Sequence, residues 1–251
     1  MTDDDDNLEQ NDFPQTMGFQ TRVTNRAYRA FELFNNDSSI SYEDINIYKH
    51  DNSYSKNSRQ YAFLEKIFNH DFSNDTEYLK AQNFLINWDL STTFDNKHAA
   101  FGVCILAPEW LAEIKKEIEP DPIKIFKDCV DEFNENFGSL SIRYADVNFL
   151  ERGNKLISIQ GGPDVLRAIY SPRSDNGILK AVAGDGLFIY VKWPENGTQM
   201  SESIHQFGSA TMDRNSLHYD DQMQMYADEK LKNTFFIESD LSNNTIRTYP
   251  E

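Results

Sequence analysis

The chain has 251 residues, with 24 Lys+Arg against 41 Asp+Glu and a formal charge of −17. That balance excludes a free nucleic-acid binder, which needs a basic face to neutralise phosphates, and it makes an anionic membrane surface a poor partner. A hydrophobic content of 39% with 13% aromatic residues marks a folded chain, long enough for one large domain or two small ones.

Residues 1–12 carry Asp3, Asp4, Asp5, Asp6, Glu9 and Asp12 and no Lys or Arg, and read as an acidic disordered tail. A signal peptide would begin basic and turn apolar, the opposite pattern. The longest apolar run, Ala99 to Ala107, is about half of the ~20 residues that a membrane-spanning helix needs.

Residues 13–138 are expected to be a helical part. Val23, Ala27, Ala30, Phe31 and Phe34 recur at three- and four-residue spacing, one stripe of a helix. Ser41 followed by Asp44 forms a capping box for a short helix carrying Ile45 and Tyr48. Tyr61, Leu64, Ile67 and Phe68 mark another helix, and Tyr78, Ala81, Leu85 and Trp88 a further one capped by Asn74 or Asp75. Pro108 and Pro122 are placed at helix starts, where a missing N–H costs nothing. The second of these helices carries Ile125, Phe126, Cys129, Val130, Phe133 and Phe137 and stops at Gly138. Cys104 and Cys129 have no CxxC spacing; the default expectation is two buried thiols, with a mutual disulfide as the alternative.

Residues 139–238 are expected to be β-rich with a closing helix, and 239–251 a tail. Leu140, Ile142 and Tyr144 alternate with polar residues, as do Ile157 and Ile159. Leu187, Ile189, Val191 and Trp193 share one strand face while Phe188 and Tyr190 take the other, which predicts a strand covered on both sides. Turn residues at 194–197 lead to a strand through Met200 and Ile204. Ser216 is read as the cap of a last helix, with Asp220 and Asp221 in its first turn and Lys230 and Lys232 near its end.

Candidate chemistry is sparse. No GxSxG, HExxH, P-loop or GxGxxG pattern occurs. His218, Asp220 and Asp221 form the densest polar cluster, yet carboxylates at a helix start are accounted for by the dipole, so metal binding is the minor reading there. His50, His70, His98 and His205 are single. Gly161-Gly162-Pro163 is placed at a tight turn requiring positive φ, Gly184-Asp185-Gly186 precedes the covered strand, and without a Walker lysine both are weak candidates for an anion cradle.

These glycine stretches belong to a longer pattern. Thr24-Asn25-Arg26-Ala27, Ser41-Tyr42-Glu43-Asp44, Asp51-Asn52-Ser53-Tyr54-Ser55, Tyr144-Ala145-Asp146-Val147-Asn148, Gly161 to Ala168 (GGPDVLRA), Val182-Ala183-Gly184-Asp185, Glu202 to Thr211 and Ser216 to Gln222 follow one another in an order that resembles the large subunit of the penicillin amidase family. Within it the chain is most similar to the acyl-homoserine-lactone and aculeacin-type acylases. The resemblance spans residues 13–238, and the collinear order of the pieces makes it specific. It implies an N-terminal-nucleophile hydrolase, an α+β chain forming part of an αββα sandwich, which cleaves C–N amide bonds of N-acylated small molecules through a serine whose own amine is the base.

In that family the nucleophilic serine, the histidine, the oxyanion-hole groups and the calcium-binding carboxylates precede the region matched here, so residue-by-residue transfer yields no catalytic, cofactor or metal position in this chain. Ser209 and His218 lie in the closing segments, where packing is the better reading. Loss of a nucleophile costs on the order of a millionfold in turnover, so the chain alone is expected to be inactive. Its expected partner is the missing catalytic half. Apolar faces such as Leu187, Ile189, Val191 and Trp193 are expected to lack the cover which that half would supply. The alternative is a non-catalytic remnant or interaction module. The resemblance also implies a periplasmic or secreted location, whereas with no signal peptide visible the sequence as written is expected to stay in the cytoplasm.

Overall fold

The computed structural model describes residues 23–245 except 196, 211 and 236; the acidic run at 1–12 lies outside them. The chain is α+β, a helical layer followed by mostly antiparallel β structure. The helical layer comprises α1 (Asn25–Phe34), α2 (Tyr42–Lys49), α3 (Arg59–Phe68), α4 (Thr76–Ile86), α5 (Ala99–Lys115) and α6 (Pro122–Phe137). Its boundaries follow local chemistry. Thr24, Ser41, Ser58, Asp75 and Asp121 each accept a backbone N–H at a helix start, and at α2 the bond is reciprocated by Asp44. Gly138 ends α6 at φ 63°, a left-handed conformation that glycine adopts without strain.

The β part contains β1 (Asn148–Arg152), β2 (Lys155–Ser158), β3 (Ile169–Tyr170), β4 (Leu179–Lys180), β5 (Ala183–Gly184), β6 (Leu187–Lys192), β7 (Met200–His205) and β8 (Lys232–Thr234), with α7 (Met223–Ala227) between the last two strands. β1 lies between antiparallel β2 and parallel β4, β3 pairs β5, and β6-β7-β8 form an antiparallel sheet with Ile189 opposite Ser203 and Glu202 opposite Asn233. A helix, α8 (Glu238–Asn244), occupies part of the stretch read as a tail.

Two apolar clusters result. Phe63, Leu64, Ile67, Leu85, Phe101, Ile105, Phe126 and Phe133 join α3, α4, α5 and α6, and Leu150, Ile159, Ile169, Phe188, Ile204 and Tyr226 join the sheets to α7. At ~25 cal/mol per Å2 of apolar surface buried, interlocked clusters of this kind supply the main driving force for folding.

Several sequence expectations are corrected. Pro108 lies inside α5 and does not start it. The buried run from Ala99 to Leu106 carries the helix past the proline, although a proline forfeits one helical hydrogen bond. Cys104 and Cys129 are not thiols but a disulfide tying α5 to α6, with Cα atoms 6.2 Å apart, a usual spacing. Residues Ser139 to Tyr144 form no strand: Leu140 and Ile142 pack on the helical core, and Tyr144 opens a 3-10 turn. Ser216 caps no helix; residues 216–222 are turns, α7 starts only at Met223, and Lys232 lies in β8.

The α1 stripe is also not a buried one. Phe31 and Phe34 are exposed, while the fully buried member of α1 is polar Asn25. Nor is β6 covered on both sides. Phe188 is buried, whereas Leu187, Ile189 and Trp193 are 45%, 59% and 73% exposed. Among the described residues β6 pairs with β7 alone, and of the four residues expected to share an uncovered face Leu187, Ile189 and Trp193 are exposed while Val191 is half-buried.

Candidate functional site

Two buried polar knots hold the helical layer on the β part, and each combines residues of the sequence segments singled out above with residues outside them. The first centres on Asp164. Its carboxylate accepts from Asn25 N at 3.0 Å, Gln60 Nε2 at 2.7 Å and Arg26 Nε at 3.4 Å, and its backbone carbonyl accepts from Asn25 Nδ2 at 2.8 Å. Asn25 Oδ1 accepts from Ser55 N at 2.8 Å, and Tyr54 donates its hydroxyl to Pro163 O at 2.8 Å. Arg29 clamps Asp51 with two bonds of 2.8 Å. α1 and the start of α3 therefore meet at the carboxylate of the loop before β3, and the loop after α2 joins them through Asn25 and Pro163.

Backbone conformation adapts to this meeting. Gly161 has φ 108° and Asp164 φ 61°. A side chain at Gly161 would lie 2.4 Å from Arg167 O, which accounts for the glycine; aspartate is among the residues that tolerate the left-handed region.

The second knot centres on Arg167, whose side chain is wholly buried. Its Nη2 donates to Tyr226 O at 2.8 Å, its guanidinium stacks 4.1 Å from the Tyr226 ring and 5.2 Å from Phe188, and Glu229 lies 3.9 Å away. Asp185 stands beside it. Its carboxylate accepts from Lys49 Nζ at 3.0 Å and Ala168 N at 3.1 Å, and its backbone carbonyl accepts from the Tyr226 hydroxyl. Burial pushes the Lys49 ammonium below the ordinary lysine range, with Asp185 opposing. Burial likewise lowers His50, whose ring packs 4.8 Å from Phe188. Gly184, at φ 138°, allows β5 to pass Ala168, because a Cβ there would sit 2.2 Å from Ala168 O. The Asp164 carboxylate is held by hydrogen bonds from three residues, whereas the buried Arg167 guanidinium makes one hydrogen bond, through Nη2, leaves Nε and Nη1 without a partner among the described residues, and relies on the Tyr226 and Phe188 rings and on Glu229 at 3.9 Å.

The remaining candidates do not assemble into a reactive group. Ser209 and His218 are exposed; His218 Nδ1 pairs with Asp221 at 2.7 Å, and its backbone carbonyl accepts from Ala210 N at 3.0 Å. Gly208 fits there because a Cβ would meet His218 O at 2.2 Å. Asp220 pairs with Lys155 at 2.6 Å. His218, Asp220 and Asp221 thus tie turns together in place of opening a helix. Among the described residues no group of His, Cys, Asp or Glu is placed to hold a metal ion, and no serine, threonine or cysteine side chain is hydrogen-bonded to a histidine ring. No helix among them is long and apolar enough to cross a membrane.

Sequence reasoning missed Glu109. Its carboxyl, on α5, is buried against Arg59 of α3, and Glu113 also reaches Arg59 at 3.3 Å. Burial outweighs the Arg59 attraction and pushes the Glu109 carboxyl up to about 7. A carboxyl that holds its proton more tightly in the folded state than in the unfolded one stabilises least when both states are ionised. Stability is therefore expected to fall as pH rises from about 4.5 to 7, by at most ~3 kcal/mol from this group. Urea midpoints at pH 5 and pH 7.5 measure the fall, and Glu109→Gln should flatten it. An unchanged pH profile in that variant would remove Glu109 as the cause. No periodicity marks Glu109, since glutamate inside a helix ordinarily reads as a solvated position.

No family model matches the chain, and no curated protein matches it. Among solved structures it is similar to a thermostable penicillin G acylase from Alcaligenes faecalis, at 12% sequence identity and a TM-score of 0.47 over 93% of this chain. The match takes in 53% of that structure's chain, so this chain spans about half of its length.

Proposed function

We propose that this chain is the C-terminal portion of an acylase that hydrolyses C–N amide bonds of N-acylated small molecules, with N-acyl-homoserine lactones and penicillin- or aculeacin-like amides as the substrate class. The observation that carries the reading is the convergence of the resembling segments. Residues 24–27, 51–55, 161–168 and 182–185 are far apart in sequence yet share the Asp164 and Arg167 knots. The chain's part is architectural: it supplies packed layers and a sheet edge, and the serine nucleophile, its oxyanion donors and the calcium site come from another segment. The β6 edge, unpaired among the described residues, with exposed Leu187 and Ile189 supports such a partner, since unpaired apolar edges invite pairing. The Cys104–Cys129 disulfide supports maturation in an oxidising compartment.

The test is complementation. Co-expression with an upstream acylase half that begins its mature form with serine should give a complex on a sizing column and release fatty acid from N-acyl-homoserine lactones, while either part alone stays inactive. Absence of both complex and activity would end this reading. A second reading, an interaction module without activity, rests on the same exposed β6 face. It gains support if the isolated chain unfolds cooperatively as a stable monomer.

A further inference from the structure

Among the described residues β6 is an edge strand. Gln206 N donates to Gly186 O at 2.9 Å, and β6 and β7 set Leu187 against His205 and Phe188 against Ile204. Hydrogen-bonded pairs alternate along an antiparallel ladder, so they fall at 188, 190 and 192. The N–H and C=O groups of Leu187, Ile189 and Val191 therefore point away from β7, and none has a backbone partner among the described residues. A groove of about 390 Å3 runs along this edge. Phe188 and Tyr190 of β6 line one side, and Phe34 of α1 with Ile45 and Tyr48 of α2 line the other. Phe34 and Tyr48 pack edge to face, with centroids 5.0 Å apart, so the helical wall is largely apolar. At the carboxyl end of β6, Lys192 Nζ lies 5.6 Å over the Tyr42 ring and has no anionic partner among the described residues. A row of three donors and three acceptors beside an apolar wall is a surface on which an extended chain can pair.

We propose that β6 takes up a single extended segment of a partner polypeptide as an added antiparallel strand, with apolar side chains toward α1 and α2 and an acidic one passing Lys192. Main-chain hydrogen bonds to Leu187, Ile189 and Val191 supply the affinity, and alternate side chains in the groove supply the selectivity. The acid lies at the amino end of the segment, because Lys192 closes the carboxyl end of β6 and the two strands run opposed. A lone strand, ~4.7–4.9 Å from its neighbour, lies between β6 and the helical wall. The β6 edge of a second copy would bring its own α1 and α2 into that same space, so the occupant is one strand and not a second sheet. The inference goes beyond the amide-hydrolase reading: it needs neither a serine nor an acylase half, and its test stands apart from complementation.

Fluorescence anisotropy of the full chain with the labelled peptide Ac-Glu-Thr-Val-Thr-Val-Thr-NH2 tests it. In the proposed register the glutamate meets Lys192, the threonines pair with Val191, Ile189 and Leu187, and the valines enter the groove. Saturable one-to-one binding is expected. N-methylation of the central threonine removes a donor aimed at β6 and should weaken binding roughly tenfold, the worth of a hydrogen bond at the upper end of its range. N-methylation of a valine, whose N–H points away from β6, should change it by less than about twofold. Lys192→Glu should weaken binding roughly fivefold, as loss of an exposed ion pair does at most, and a peptide with lysine in place of the glutamate should recover it. Absence of saturable binding up to ~1 mM peptide overturns the proposal. Equal loss for the two methylated peptides also overturns it, since apolar adsorption without strand pairing would not tell them apart. An affinity unmoved by Lys192→Glu overturns the antiparallel placement. Sedimentation as a dimer that the peptide does not dissociate would assign the edge to a second copy and overturn the proposal as well.

Discussion

Asp164→Ala is expected to lower the unfolding free energy by about 3–5 kcal/mol, chiefly because it strands buried hydrogen-bond donors. Two of the donors to its carboxylate, Asn25 N and Gln60 Nε2, are buried and would be left without an acceptor, at ~1–3 kcal/mol each. A third donor, Arg26, is 45% exposed and would return to water at little cost. Alanine also tolerates the left-handed backbone at position 164 less well than aspartate, by ~1 kcal/mol. Asp164→Gly separates these effects because glycine removes the strain and not the lost hydrogen bonds; it should recover only the smaller share. Arg26→Ala is the control and should cost under ~1 kcal/mol, as exposed ion pairs do. Urea denaturation measures all three. A loss below ~1 kcal/mol for Asp164→Ala would mean that the knot does not hold α1 in place. Since domains of this kind are stable by only ~5–15 kcal/mol in total, the expected loss is large enough to loosen the contact between the two layers.

Much of the helical layer was legible because its signals are local. The Ser41–Asp44 capping box and the Asp121-Pro122 start with the Gly138 stop each lie within one or two turns of the helix they bound. β6 and β7 were legible as alternating runs beside a turn. What was not legible depends on partners distant in sequence. The alternation from Leu140 to Tyr144 suits a strand, but no neighbouring strand pairs with it, and Leu140 and Ile142 turn to the helical core instead. The stripe on α1 suits burial, yet the buried group is Asn25, whose partner Asp164 is 139 residues away. The two knots carry no periodic signature at all. Their residues stood out only through the resemblance, as isolated pieces whose conjunction a linear reading does not reveal.

Removing the Cys104–Cys129 disulfide, by reduction or as the double variant Cys104→Ala/Cys129→Ala, is expected to cost about 3.5 kcal/mol. The bond closes a loop with a sequence separation of 25, and the chain-entropy relation gives roughly that figure at 25 °C for a loop of this size. The native state should change little, because both residues are buried in the α5/α6 contact and apolar neighbours continue to pack there; the effect falls chiefly on the unfolded chain, which gains freedom. Pro108 adds a reason to expect the full cost. α5 forfeits a backbone bond at that proline, and the disulfide at Cys104, one turn earlier, anchors the weakened segment to α6. Denaturation with and without reductant gives the difference directly. Reduction should lower the midpoint for the unaltered chain and leave the double variant unmoved. A shift below ~1 kcal/mol would mean that the cross-link restrains little in the unfolded chain, and that packing between α5 and α6 suffices to carry the helix through Pro108.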